Sequence, residues 1–159
     1  IENLKQESKK NVTVGCVVLD KQGNLTAGTS TGGMFKKRWG RIGDSPVIGA
    51  GTYADNNSCA VSCTGHGEYF IRHAVAFDVC ARYKYLKESV EKAADYIIHT
   101  ELNTNAGNGG LIAVDKLGNI AMPYNSGGMF RGFLYKEKGR PEIKKGCGIG
   151  KKIVVVGEK

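Results

Sequence analysis

The chain carries near its start the stretch Thr13-Val-Gly-Cys-Val-Val-Leu-Asp-Lys-Gln-Gly-Asn-Leu25. An apolar run leads into a turn, in which Asp is a favoured opening residue and Gly accepts a positive φ angle. A second strand then runs to Thr31. The stretch therefore predicts a β-hairpin, and its apolar strands predict a sheet that is largely covered.

The same pattern returns later as Gly110-Leu-Ile-Ala-Val-Asp-Lys-Leu-Gly-Asn-Ile120. Each copy runs on into a Gly-Gly-Met-Phe segment, which begins at Gly32 in the first copy and at Gly127 in the second. The repeat predicts a second hairpin with the same turn.

Two segments between the hairpins have apolar residues at the spacing of an α-helix. Apolar residues recur at helical spacing from Glu68 to about Tyr85 and again from Val90 to Leu102, with Ser89 as an N-cap for the second helix. A short strand, Cys59 to Cys63, precedes them. This order predicts an α+β fold in which a helix pair covers one face of a single antiparallel sheet. The other face needs a further layer that the chain does not obviously supply.

Length and composition favour one globular domain of 159 residues with a net charge of +8. No apolar run approaches the ~20 residues of a membrane span. Five irregularly spaced cysteines argue against a disulfide framework and favour a reducing compartment, so we expect a cytoplasmic protein without a membrane partner. The basic segments at residues 36–41 and 136–159 are interpreted as a solvated loop and tail, with nucleic-acid binding as the alternative.

Thr13 is the candidate nucleophile. Inside a chain it is an ordinary β-branched strand residue. If the bond between Val12 and Thr13 is cut, the new α-amino group, with a pKa of about 7.7–8.0, can take the proton of the same residue's hydroxyl. Thr31, at the other end of the hairpin, is either a turn residue or a hydrogen-bond partner near Thr13.

Two further pairs of residues carry candidate roles. Arg41 offers a planar fork to a carboxylate and Asp44 offers acceptors to an ammonium group, so together they can bind a free α-amino acid. The alternative is an ordinary ion pair in a turn.

Thr64 and Gly65 precede a helix, where a hydroxyl and a backbone N–H can stabilise an oxyanion, although Thr64 can equally be the helix N-cap. The three histidines lack metal-ligand spacing, and we expect no metal and no cofactor.

In combination these motifs resemble the C-terminal (β) subunit of the plant-type L-asparaginase and isoaspartyl peptidase family, relatives of glycosylasparaginase. Besides the Thr13 stretch, the resemblance rests on Thr29-Ser-Thr-Gly-Gly33, Gly40-Arg-Ile-Gly-Asp-Ser-Pro46, Gly49-Ala-Gly-Thr-Tyr-Ala-Asp55, Thr64-Gly-His-Gly-Glu68 and Gly109-Gly-Leu-Ile-Ala113. It covers residues 13–143, which are expected to form the β-subunit of the hydrolase domain. Residues 1–12 are expected to be a linker before the nucleophile, and residues 144–159 a basic tail without an assigned role.

The resemblance implies an N-terminal nucleophile hydrolase with an αββα sandwich, to which this chain contributes one antiparallel sheet and its helix pair. The precursor would cut itself before Thr13, and the chain would assemble with the α-subunit of the same precursor into a dimer of αβ pairs. The implied catalytic residues are Thr13, Thr31 and Thr64, and the implied substrate-binding residues are Arg41, Asp44, Thr64 and Gly65.

The implied reaction is hydrolysis of β-aspartyl dipeptides and L-asparagine through a threonine acyl-enzyme, without a cofactor. Two alternatives stay open. One is a glycosylasparaginase-type amidohydrolase, because the aspartyl clamp would be the same. The other is an uncleaved, non-catalytic chain, because Val12 stands where asparaginases of this type typically have Gly.

Overall fold

The structure, a computed structural model, describes residues 13–137, 140–146 and 153–158, with side chains described for residues 13–134. The strands are β1 (Thr13–Leu19), β2 (Leu25–Thr31), β3 (Thr52–Ala54), β4 (Cys59–Gly65), β5 (Gly109–Asp115), β6 (Ile120–Ala121), β7 (Arg131–Glu137), β8 (Arg140–Gly146) and β9 (Ile153–Glu158). The helices are α1 (Gly67–Arg72), α2 (Val75–Tyr85), α3 (Val90–Tyr96), a π-helical turn (Ile97–Glu101) and α4 (Leu102–Thr104).

The described strands form two sheets rather than the single antiparallel sheet predicted from the sequence. The first has five strands in the order β2-β1-β9-β7-β8, in which β9 pairs parallel with β1 and with β7. The second has four antiparallel strands in the order β3-β4-β5-β6. The two hairpins of the internal repeat therefore lie in different sheets. An apolar strand pattern shows that both faces are covered, but it does not say which strands pair.

Strands β4 and β5 lie between the helices and the first sheet. Alternate residues of these strands point to opposite faces, so each strand contributes to both cores. Toward the helices point Cys59, Val61, Cys63, Leu111 and Ala113, which join a core with buried residues of α1 to α4. Toward the first sheet point Ala60, Ile112 and Val114, which pack with Val17, Leu19, Leu25 and Met129. The first hairpin thus supplies the layer that the sequence analysis did not find.

The two turns have the same hydrogen bonds, as the repeat predicted. In the first turn Asp20 N donates to Asn24 O and Gly23 N donates to Asp20 O, at 3.0 and 3.1 Å. In the second turn the backbone N of Asp115 donates and its backbone O accepts the equivalent hydrogen bonds, both at 3.0 Å. The side-chain Oδ1 of Asp115 accepts from two backbone N–H groups, as Asp20 Oδ1 does. The copies differ after the turn, since β6 has only two residues.

The first predicted helix is interrupted. Ala74 has a φ angle of +45°, in the left-handed region, so α1 ends at Arg72 and α2 begins at Val75. The second helical prediction is confirmed in position, with Ser89 Oγ accepting from Lys92 N at 3.2 Å as the expected N-cap. Its second half is a π-helical turn in which the successive residues Ile97 and Ile98 are both buried.

A disulfide joins Cys59 at the start of β4 to Cys80 in α2, whose Cα atoms lie 5.5 Å apart. The sequence analysis did not expect a disulfide, because cysteines 21 positions apart on a strand and a helix meet only in the folded chain. Among the described residues, no helix combines the length and the apolar composition needed to cross a membrane.

Candidate active site

Thr13 and Thr31 form one end of the first hairpin, where the strand register pairs them directly. Thr13 Oγ1 donates to Thr31 Oγ1 over 3.2 Å, and Gly33 N donates to the same Thr31 oxygen over 3.0 Å. Thr13 is only 6% exposed in this chain. The Gly-Gly turn after β2 therefore orients the Thr31 hydroxyl toward that of Thr13.

A cluster of hydroxyl groups ties this hairpin to the second sheet. A side chain at Gly15 would collide with Ser62, so the two sheets approach each other closely there. Thr29 Oγ1 lies 2.6 Å from Ser62 Oγ and accepts from Thr52 Oγ1 at 2.5 Å. The same Thr52 oxygen lies 3.3 Å from the backbone oxygen of Ser45, beside Asp44, and its one proton can be donated to either acceptor. Sequence reasoning missed this cluster, for which the alternation of Thr29 and Thr31 along β2 was the available signal.

Asp44 lies between two glycines and is 6% exposed. A Cβ atom at Gly51 would lie 2.8 Å from Oδ2, and a Cβ atom at Gly67 would lie 2.8 Å from Oδ1. The backbone oxygen of Asp44 accepts from Val47 N at 3.0 Å and from Gly51 N at 3.1 Å. Only residues without a side chain leave room for the carboxylate here, which is a structural role that the sequence analysis did not assign to either glycine.

Arg41 forms an ion pair with Glu68 of α1, and the Asp44 carboxylate adds a smaller electrostatic contribution to the same guanidinium. Arg41 Nε donates to Glu68 Oε1 over 2.7 Å, with the two side chains 18% and 53% exposed. This hydrogen bond holds the pKa of the Glu68 carboxyl below its ordinary value and raises the pKa of Arg41. Because the guanidinium carries five N–H donors, four remain for other partners. Glu68 is a site residue that the sequence analysis quoted in a motif without giving it a role.

A cavity of about 420 Å³ brings most of the predicted site residues together. It is lined by Thr13, Thr29, Ser30, Thr31, Gly33, Met34, Lys37, Arg41, Ile42, Gly43, Asp44, Ser45, Pro46 and Gly65. Thr64 does not line it and is 4% exposed. By strand alternation, however, Thr64 points to the same face of β4 as Ser62, which is the face toward the first hairpin.

A sequence model of the asparaginase family matches residues 1–142 of this chain. The chain belongs to the asparaginase family. Its members in the comparison include the isoaspartyl peptidase of Salmonella typhimurium, 54% identical over 129 residues, which are 81% of this chain and 41% of the relative. The isoaspartyl peptidase of Escherichia coli is 48% identical over 143 residues, which are 84% of this chain and 44% of that protein.

The plant-type L-asparaginase of Pyrobaculum calidifontis is 43% identical over 134 residues, which are 82% of this chain and 44% of the relative. The chain thus spans less than half the length of these three relatives. Val12, the predicted cleavage position, lies outside the described residues.

The cysteine and histidine next to Thr64 and Gly65 in this asparaginase-family chain have structural surroundings. Burial raises the pKa of the Cys63 thiol well above its ordinary value, with a further contribution from the Asp44 carboxylate, which disfavours the reactive thiolate form. His66, rather than Thr64, is the N-cap residue of α1. Among the described residues, no group of three or more His, Cys, Asp or Glu side chains is arranged to hold a metal ion.

Proposed function

We propose that this chain is the nucleophile-bearing part of a hydrolase that cleaves β-aspartyl dipeptides and L-asparagine through an acyl-enzyme on Thr13. One observation carries the proposal: a single cavity of about 420 Å³ is lined by Thr13, Arg41 and Asp44 together. Relatives named isoaspartyl peptidase and L-asparaginase, at 43–54% identity, support the same reaction class.

Substrate binding begins with the aspartyl part, which is common to both substrates. Its α-carboxylate binds the Nη groups of Arg41, whose Nε is already held by Glu68. Its α-ammonium binds the carboxylate of Asp44, which fits between Gly51 and Gly67. The two charges of the substrate thereby fix its side-chain carbonyl over Thr13.

Activation of Thr13 requires cleavage of the bond that precedes it. The free α-amine is then the base that takes the proton of Oγ1, directly or through water, because no histidine lines the cavity among the described residues. The Thr31 hydroxyl, which accepts from Oγ1 over 3.2 Å before the reaction, donates to Oγ1 once that atom has lost its proton and so stabilises the developing alkoxide.

The reaction has two halves. Thr13 Oγ1 attacks the side-chain carbonyl carbon, the amine takes its proton, and that proton passes to the leaving nitrogen as the C–N bond breaks. Ammonia leaves from asparagine, and an amino acid leaves from a β-aspartyl dipeptide. Water, deprotonated by the same amine, then attacks the ester, and aspartate departs as Oγ1 regains its proton.

The oxyanion of each tetrahedral intermediate is assigned to the end of β4. Gly65 lines the cavity, and its backbone N–H is one donor. The hydroxyl of Thr64, on the face of β4 that points to the first hairpin, is the second. A Thr64→Val variant keeps the shape of the side chain and removes the donor. Its effect on kcat, a decrease, should be larger than its effect on KM.

The remaining part of the precursor completes the fold and the assembly. The outer face of β1 carries Val14, which is 45% exposed, and the partly exposed residues Cys16 and Val18. We assign to this face the second helix layer of an αββα sandwich, supplied by the α-subunit of the same precursor. The complete enzyme is then a dimer of αβ pairs.

The test uses the full-length protein and its Thr13→Ala variant. The expected result is release of aspartate from a β-aspartyl dipeptide and from L-asparagine by the parent protein, with a mass that shows a subunit beginning at Thr13. Thr13→Ala should abolish both cleavage and turnover. Thr26→Ala, an exposed threonine on β2 that does not line the cavity, is the matched control and should retain both.

Three results would replace this proposal. Turnover that survives in Thr13→Ala excludes Thr13 as the nucleophile. An intact chain without turnover supports an uncleaved, non-catalytic protein, whereas faster release from an N-linked glycosylasparagine than from the other two substrates supports a glycosylasparaginase.

A further inference from the structure

Lys37 belongs to the basic segment at residues 36–41, is exposed as the sequence analysis expected of this loop, and also lines the cavity. Its Nζ donates to the backbone oxygen of Gly32 over 2.7 Å. A Cβ atom at Gly33 would lie 2.6 Å from the same Nζ. The ammonium group is therefore held against the turn that follows Thr31, and one of its three N–H donors is occupied by Gly32.

The charged groups lie at two places in the single loop between β2 and β3. Arg41 and Asp44 belong to its part before β3, whereas Lys37 and Gly33 belong to the turn after β2. The Thr31 hydroxyl, hydrogen-bonded to Thr13 and to Gly33 N, connects the nucleophile to the Lys37 segment. A substrate whose aspartyl part binds Arg41 and Asp44 and whose carbonyl faces Thr13 can extend its leaving group toward the part of the same cavity that Lys37 lines.

The two proposed substrates differ in what lies beyond the carbonyl. In L-asparagine the leaving group is ammonia. In a β-aspartyl dipeptide the leaving group is an amino acid, whose α-carboxylate is two bonds from the scissile nitrogen. The dipeptide thus carries one ammonium and two carboxylates. Among the described residues, the cavity offers one carboxylate, that of Asp44, and two cations, Arg41 and Lys37, to match them.

We propose that Lys37 is a specificity-determining residue that binds the α-carboxylate of the leaving amino acid and so favours β-aspartyl dipeptides over L-asparagine. The long, flexible lysine stem allows Nζ to reach the carboxylate of different leaving residues, as a point charge rather than a fixed fork. This inference rests on the proposed function, since it concerns the leaving-group side of the same cavity.

The experiment removes the charge from the protein and from the substrate in turn. The full-length protein and its Lys37→Met variant are compared on L-asparagine, on a β-aspartyl dipeptide, and on the same dipeptide with a C-terminal carboxamide. Lys37→Met should lower kcat/KM for the dipeptide about tenfold, the effect of one charge-assisted hydrogen bond. For asparagine and for the carboxamide, kcat/KM should stay within about twofold of the parent value.

Lys36→Met is the matched control, because Lys36 is the preceding exposed lysine and does not line the cavity. It should leave the ratio between substrates unchanged, and Lys37→Arg should restore most of the dipeptide activity. An equal loss on all three substrates, or no loss on the dipeptide, overturns the role of Lys37 while the hydrolase itself stands. A parent protein that cleaves none of the three overturns the proposed function and this inference with it.

Discussion

The Oγ1 atoms of Thr13 and Thr31 lie 3.2 Å apart across the end of the first hairpin. Their separation follows from the strand register, which pairs Thr13 with Thr31 and places the Asp20 turn at the opposite end. The two hydroxyls are 18 residues apart in the chain. Each residue added to or removed from the turn would break their pairing.

Replacement of Thr31 by valine tests this contact. We expect Thr31→Val to lower kcat by about 10- to 100-fold with little change in KM, because the hydrogen bond acts on the reacting oxygen rather than on the bound substrate. Steady-state kinetics on L-asparagine give both constants. Thr31→Ser keeps the hydroxyl and should recover most of kcat, and an equally inactive serine variant would contradict the role of the hydroxyl.

Gly15 should be intolerant of a side chain. A Cβ atom there would collide with Ser62 where the two sheets meet, so we expect Gly15→Ala to lower the free energy of unfolding by about 1–3 kcal/mol. Gly28→Ala is the matched control, because Gly28 is the neighbouring glycine on β2 and a Cβ atom there has no atom within 4 Å. Chemical denaturation of the two variants should separate them, and equal stabilities would contradict the close approach of the sheets.

Glu68 should act on substrate affinity through Arg41. Glu68→Gln removes the negative charge of the oxygen that accepts from Arg41 Nε over 2.7 Å. The Arg41 guanidinium then loses its orientation toward the substrate carboxylate. We expect KM to rise about 3- to 10-fold with kcat nearly unchanged. Glu91→Gln, an exposed glutamate in α3, is the control. A fall in kcat at constant KM would show that Glu68 takes part in the chemistry instead.

The proposed base gives the activity a defined pH dependence. The α-amine of Thr13 must be neutral to accept a proton, and its ordinary pKa is about 7.7–8.0. Protonation removes the lone pair, so kcat should fall about tenfold per unit as the pH drops below that value and level off above it. A kcat profile measured from about pH 6 to about pH 9 tests this, and a flat profile would exclude the amine as the base.

The parts of this protein that the sequence determined are those encoded in a few adjacent residues. The Asp20 and Asp115 turns, the Ser89 cap and the helix that it begins follow from local hydrogen bonds and periodicity, and the structure contains them. The motif order also identified the asparaginase family, and the contact between Thr13 and Thr31 followed from the geometry of one hairpin.

Tertiary structure alone decided the features that join distant segments. Neither the division of the two repeated hairpins between two sheets nor the disulfide between Cys59 and Cys80 has a local signal. The same holds for the glycines around Asp44, the pairing of Arg41 with Glu68 and the place of Lys37 in the cavity. The physical reason is that local patterns show which face of a strand or helix is apolar, whereas the partner of that face depends on packing between residues far apart in the chain.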